Sequence, residues 1–343
     1  MTVFTIACHQ QWIWEAFDSA LPQGLYNTQS GEKNGIQLRH HMDLWPLDDL
    51  RCHDPLWSTS DFLIAQNARM RSMGMTPMLM LTPQDDWPSS LGKDLLGRNA
   101  VVSHPSSILQ WNSFEDSGVS GLSPSSRISE APGRPTSRES QPWSQLINAR
   151  VPSFPAAQRD LRTLQQALSN APSNSSVLIS EHIPDITEEW MVVVHRFRAI
   201  ATHGYCIHQA QSGRQVLSVF DGAKFAESNI SRVEAAAQEA ARRLNIISAV
   251  FNIAISANSG VLVLEPLPSW CTPPYEYGAD ATEALLEAIA VCSLTPSGKV
   301  LHDQSEITIP TQQIFRPDPW MEQYFARRFL TENRATSTDT SQQ

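Results

Sequence analysis

The stretch FNIAISANSGVLVLEPLPSW, residues 251–270, places two polar side chains where an apolar strand is expected. Asn252 sits in the first apolar run, and Glu265 closes the second. A carboxylate at the end of a buried strand is costly unless an arginine, a water network or a metal ion pairs with it. Further carboxylates cluster in SSVLISEHIPDITEEW, which carries Glu181, Glu188 and Glu189. Arginines gather in two places, Arg134 and Arg138 in a polar stretch and Arg196 and Arg198 beside a candidate hairpin turn. Other groups offer less. His40, His41 and Asp43, or His53 and Asp54, match no strong metal signature. Cys271 beside Trp270 has no histidine near it in sequence to act as its base. There is no GxSxG elbow, no GxxxxGK[ST] loop and no Rossmann glycine pattern.

The elements that must position these groups follow from periodicity. TVFTIA opens the chain as a strand, and MTPMLMLTP (75–83) holds a second, closed by Pro83. Residues 112–142 are rich in Ser, Gly, Pro and Arg, which is the composition of a long mobile or binding loop. Residues 155–170 form a helix with Leu161, Leu164 and Leu168 on one face. SSVLISEHI is a strand. TEEWMVVVHRFRAIATHGYCIH is a strand pair turning near His195 to Phe197, and QVLSVFDG holds a further strand. SRVEAAAQEAARRLN (231–245) is the strongest helix, with Ser231 as N-cap and Glu234 three residues on. SAVFNIAIS and GVLVLEP pair across Asn258-Ser259-Gly260. Helices at 282–292 and from Pro319 finish the chain, and the tail from 334 frays.

In this order of elements the chain resembles the ATP-grasp superfamily. There a strand ends in a glutamate beside the adenine, and a second glutamate seven or eight residues later binds the ribose. Glu181 and Glu189 match, with Glu188 as the competing register and Ile183 in the intervening adenine-side segment. The family's three magnesium ligands fall on Asn252, Glu265 and Leu267, so the resemblance implies Asn252 and Glu265 as the metal pair. WCTPPYEYGAD is similar to the family's stretch after the last metal ligand, with Tyr275, Tyr277 and Asp280 framing an acceptor pocket. More narrowly, GRPTSRESQPWSQL resembles the branch with two key arginines and one lysine. Arg134-Pro135 fits it. Ser140 or Gln141 stands at the lysine position, Trp143 at the aromatic, Ser144 at a glycine and Met191 at the second arginine.

The resemblance implies an α+β fold of two subdomains gripping a cleft, preceded by a small α/β domain. Its boundaries are 1–85, 86–180 and 181–333, with the loop of 112–142 in the middle part. It implies ATP and Mg²⁺ as cofactors and a ligase that joins a carboxylate to an amine through an acyl phosphate, acting on amino acids or a peptide. Arg134, Arg138 and Arg196 would neutralise the triphosphate, since a guanidinium fork matches phosphate geometry. Backbone donors of the loop would assist them. The missing lysine, arginine and last metal ligand support an alternative, in which the fold has lost catalysis and binds a ligand or a protein. A third reading is an α/β protein unrelated to this family.

Composition bounds these readings. The 343 residues suit two or three domains, and 41% hydrophobic content supports a sizeable core. A net charge of −10 argues against nucleic acid as the main partner. Only Lys33, Lys93, Lys224 and Lys299 are lysines. Five dispersed cysteines point to a reducing compartment, and no apolar run reaches membrane-spanning length. With no basic, apolar leader at the N-terminus, the expected location is cytoplasmic. A homo-oligomer is compatible with all of this.

Overall fold

The computed structural model describes residues 2–20, 36–43, 45–118, 141–147, 153–209, 215–218, 221–274, 279–300 and 309–324. The fold is α+β. The chain divides into two compact units, residues 1–97 with 185–315, and residues 98–184 with 316–343. The segment expected as a separate domain at 1–85 therefore shares one unit with most of the segment expected at 181–333. The divisions fall at 97/98, 184/185 and 315/316, where the resemblance implies boundaries at 85/86, 180/181 and 333/334.

The first unit opens with β1 (Thr2–Ala7), α1 (Gln11–Ala20) and β2 (Ile36–His41), a parallel strand pair joined across a helix. Ile13, Trp14 and Phe17 recur three and four residues apart, so one side of α1 is apolar and buried. Phe17 meets Phe4 of β1 and packs edge-on against Trp57. Trp57 lies in β3 (Leu56–Ser58), which pairs with the other edge of β1. Helix α2 (Ser60–Ser72) follows, burying Phe62, Leu63 and Met70. Its buried Gln66 donates to the carbonyl of Leu47 and accepts from the Leu47 amide, so a polar side chain is satisfied inside the core. Strand β4 (Leu79–Met80) and two short helices, α3 (Trp87–Leu91) and α4 (Lys93–Leu96), complete the segment.

The second unit is built on an antiparallel sheet. Its strands are β5 (Ala100–Ser103), which is followed by the short helix α5 (Pro105–Ile108), then β6 (Trp143–Leu146) and β7 (Ala157–Gln158). Helix α6 (Leu161–Leu168) and β8 (Val177–Ser180) follow, and the strand order is β5-β8-β6-β7. Helix α6 begins six residues later than expected from 155. Residues 157–158 are spent pairing with Trp143 and Ser144, and Asp160 then caps the helix by accepting from the Thr163 amide at 2.7 Å. Leu164 and Leu168 carry its buried face, as their spacing requires. Asp318 accepts from the Ser175 hydroxyl and from the amides of Ser176 and Trp320, and it stands just before the helical residues 319–324.

The first unit resumes with its main sheet. Strands β9 (Ile186–His195), β10 (Arg198–Gln209) and β11 (Gln215–Ser218) precede helix α7 (Ile230–Leu244). The hairpin of β12 (Ser248–Ser256) and β13 (Gly260–Leu267) follows, then α8 (Ala279–Ala290) and β14 (Ser293–Leu294). The order is β11-β10-β9-β12-β13, antiparallel throughout. Helix α7 lacks the expected Ser231 cap. A preceding turn at Glu227–Asn229 starts the helix at Ile230, and the Asn229 amide donates to Glu188 instead of capping. Its buried face is mostly alanine (Ala237, Ala240 and Ala241), which lets the helix lie close to the sheet. Its C-terminal end is pinned by Arg243, which forms a two-pronged pair with Asp94 at 2.7 and 2.8 Å.

Candidate functional site

Strand alternation decides which side chains can meet. Along β9, Glu188 and Trp190 face one side, and Glu189, Met191, Val193 and His195 face the other. Glu188 accepts from the Trp190 indole and the Asn229 amide, both at 2.9 Å, and so belongs to the face that carries α7. Glu189, the alternate residue, faces the other side of the sheet. Cross-strand register sets Met191 opposite Asn252, and Asn252 opposite Glu265. Glu189, Asn252 and Glu265 thus share one face.

Two irregularities make that arrangement possible. On β13, Asn252 pairs with Glu265 while Ile253 pairs with Val263, so Leu264 is an extra residue. Were Leu264 paired in regular register instead, it would stand opposite Asn252 and Glu265 would fall on the other face. On β10, Gly204 pairs with Trp190 and Cys206 with Glu189, so Tyr205 is the extra residue. The bulge sets Tyr205 and Cys206 together against Glu189. Gly204 has no room for more, since a Cβ there would lie 2.2 Å from the Phe225 ring.

The result is a connected polar group. Glu189 accepts from the Tyr205 hydroxyl and, at 2.6 Å, from His208 Nε2. The Asn252 amide nitrogen donates to the Tyr205 oxygen at 2.9 Å. An ionised carboxylate can only accept, so the single phenolic proton goes to Glu189 and the phenolic oxygen can only accept from Asn252. This leaves Asn252 Oδ1 buried with no partner among the described residues, on a side chain only 6% exposed. Such an orphan costs about 1–3 kcal/mol.

Electrostatics follow the contacts. Burial pushes the Glu189 carboxyl up, but the hydrogen bonds from His208 and Tyr205 outweigh it and hold it below the ordinary carboxylate range. Burial, and then the Glu189 charge, drive the Tyr205 phenol well above its usual value. Contact with Cys206, and next with Glu189, raises His208 to about 9. At neutral pH the group is therefore a carboxylate, an imidazolium and a neutral phenol. Glu265 is half-buried and close enough for its charge to raise the Tyr205 phenol.

The remaining expected residues lie elsewhere. Glu181 belongs to the second unit, where Asn99 donates its backbone amide (2.7 Å) and its side-chain amide (3.1 Å) to the two carboxylate oxygens. Ile183 is half-buried in the segment that follows β8 of that unit. Arg196 is exposed in the β9–β10 turn, seven residues past Glu189 and so roughly 20 Å farther along the strand. The structure does not bring it to the Glu189 group. Arg134, Arg138, Tyr275 and Tyr277 lie outside the described residues, as does the side chain of Asp280. Met191 is buried, and Leu267 pairs with Val250 at the end of β13 and offers no ligand atom. Tyr205, Cys206 and His208 were not singled out from the sequence. Gly204 directly before a Tyr-Cys-x-His run was the available signal, because glycine in a strand often marks a bulge.

The donor set can be tested against the implied Mg²⁺. The orphaned Asn252 amide oxygen and the adjacent Glu265 carboxylate are hard oxygen donors, and Mg²⁺ takes such ligands together with waters and phosphate oxygens. The two residues fit the ion. Among the described residues, no helix is long and apolar enough to cross a membrane.

No protein-family model matches the chain. No curated protein matches it in sequence either. Among solved structures, the D-alanine–D-alanine ligase of Bacillus anthracis is similar at 8% identity, with 84% of this chain and 97% of that one covered and a TM-score of 0.47. The D-cycloserine synthetase DcsG is similar at 11% identity, with 84% and 99% covered and a TM-score of 0.49. The ATP-grasp ligase PsnB, complexed with a minimal precursor, is similar at 9% identity, with 84% and 99% covered and a TM-score of 0.41.

Proposed function

We propose that the chain is an ATP-grasp-like ligase that uses ATP and Mg²⁺ to join a carboxylate to an amine. The observation that carries this reading is the unpartnered, buried Oδ1 of Asn252, with Glu265 across the strand and Glu189 on the same face. Those three residues are the ones the family resemblance assigns to metal and ribose.

In this reading the sheet face supplies the charged floor of the nucleotide site. Glu189 is held ionised and oriented by Tyr205 and His208, so it can accept from ribose hydroxyls with little reorganisation. Asn252 and Glu265 would hold the ion, whose contribution is to neutralise charge on the phosphates. The substrate carboxylate attacks the γ-phosphate and gives an acyl phosphate and ADP. The amine then displaces phosphate and forms the amide. The reaction needs charge neutralisation and alignment more than a strong acid or base. Arg134 and Arg138 are the chain's candidates for the phosphates.

A second reading has its own support. Glu189 is already engaged by a charged histidine, and Met191 and Leu267 stand where the family has an arginine and a metal ligand. A protein that binds nucleotide or another ligand without turnover fits these substitutions.

Calorimetric titration of ATP with and without Mg²⁺ tests the first reading. Magnesium should tighten ATP binding to the native chain and have no such effect on Glu265→Ala. Equal affinity in the two proteins would remove the metal assignment. Steady ADP formation across a panel of amino-acid pairs then separates the ligase from its non-catalytic alternative.

A further inference from the structure

We propose that Glu189, Cys206 and His208 form a second cation site on this face, for a thiophilic divalent ion of the zinc class. One carboxylate oxygen, one thiol sulfur and one imidazole nitrogen from these residues lie within 4.8 Å of one another. The donor chemistry differs in kind from the neighbouring Asn252–Glu265 pair. Thiolate and imidazole select zinc-like ions, whereas an amide and a carboxylate oxygen suit magnesium.

The geometry agrees with that choice. In a tetrahedral zinc site with Zn–S near 2.3 Å and Zn–N near 2.0–2.1 Å, sulfur and nitrogen stand roughly 3.5–3.6 Å apart. Cys206 Sγ and His208 Nε2 are 3.6 Å apart. They are two residues apart on β10, so strand alternation aims both from one face. Register sets Glu189 opposite Cys206, and its Oε1 lies 2.6 Å from His208 Nε2. Binding an ion there asks that pair to open by less than 1 Å, toward the roughly 3.3 Å edge of a tetrahedron. The thiol and the imidazole would give up their protons to solvent on binding. The third ligand is already oriented, because Tyr205 holds the second oxygen of Glu189. With side-chain exposures of 15% for Glu189 and 23% for His208, the group is shielded yet open to an entering ion, and a fourth position remains for water. The proposal stands on the geometry of these three side chains, although it shares Glu189 with the nucleotide reading.

Cobalt(II) is the probe, since it takes zinc geometry and reports a bound thiolate by a charge-transfer band. Titration of the reduced, full-length chain should raise that band to one equivalent, and zinc should displace it. Cys206→Ser should abolish the band, and His208→Gln should weaken zinc binding by more than the roughly 10–100-fold lost with an outer partner. Glu265→Gln should keep the band. Cooperative thermal unfolding of each variant establishes that it is folded. No band in the native chain, a band that survives Cys206→Ser, or a band lost in folded Glu265→Gln would each overturn the assignment.

Discussion

The face of β9 and β12 that bears Glu189 has two ends, and they are finished in opposite ways. At the His195 end, α8 packs over the strands, and the Ser248 hydroxyl bonds the Ala288 carbonyl at 2.6 Å and the Ser269 hydroxyl at 3.0 Å. About four residues along β12 the same face carries Tyr205, His208 and Asn252, and one buried amide oxygen is left without a partner. One sheet thus holds an end closed by packing and an end held ready by polar contacts. The first stabilises the fold. The second gives up about 1–3 kcal/mol to one unpaired buried oxygen, which the proposed ion would satisfy.

That contrast can be broken from the closed end first. Leu286 on α8 is 1% exposed, so Leu286→Ala should cost about 2–5 kcal/mol in denaturant unfolding. Nucleotide and metal binding by the folded fraction should stay unchanged. The open end should respond in the reverse sense. Asn252→Leu removes the orphaned oxygen, and it should leave stability unchanged or raise it by up to about 2 kcal/mol. The same variant should lose the magnesium-dependent part of ATP binding. A loss of stability comparable to that of Leu286→Ala would mean that Asn252 is an ordinary core amide.

Acidity offers a third cut. His208 is raised from 6.5 to about 9, by Cys206 and then by Glu189. A group whose folded pKa is raised stabilises the protein fully below the unfolded value and loses that contribution as pH climbs through the folded one. The native chain should therefore lose stability between about pH 6.5 and 9 relative to His208→Gln, on the order of 1–2 kcal/mol after allowance for its partial exposure. Chemical denaturation across that range measures it, and parallel curves for the two proteins would remove the ion pair from the account.

The smallest effect is set at the β9–β10 turn. Arg196 and Phe197 both adopt positive φ, 49° and 64°, where asparagine and glycine are preferred in two-residue hairpin turns. Arg196→Asn with Phe197→Gly should raise stability by about 1 kcal/mol. Unchanged ADP formation in that double variant would also detach Arg196 from catalysis.

Much of this was legible in the sequence, and the limits have physical reasons. Continuous β-branched runs and the Asn258-Ser259-Gly260 turn gave both hairpins, and alanine with leucine gave α7. Helix α1 was missed because only Ile13, Trp14 and Phe17 mark its apolar side within a short polar span. Asn252 and Glu265 were readable as a pair thirteen residues apart, but their common face was not. It depends on Leu264 being an extra residue, and pattern alone does not show a bulge. Tyr205 and His208 were hidden for the same reason, since one inserted residue changes what faces Glu189. Which of Glu188 and Glu189 shares a face with Asn252 depended on the register of β9 against β12, a long-range fact.

The tryptophans of the first unit impose a schedule on its making. The Trp57 indole donates to the carbonyl of Thr272, 215 residues later, and the Trp270 indole donates to Leu81. At about 5–20 residues per second, a ribosome needs roughly 10–40 s to deliver Thr272 after Trp57. Through that interval Trp57 has Phe17 beside it but lacks the acceptor for its indole N–H, so the early sheet stays incomplete and chaperone dependence during synthesis is the expected cost of a unit whose two halves are separated in the gene.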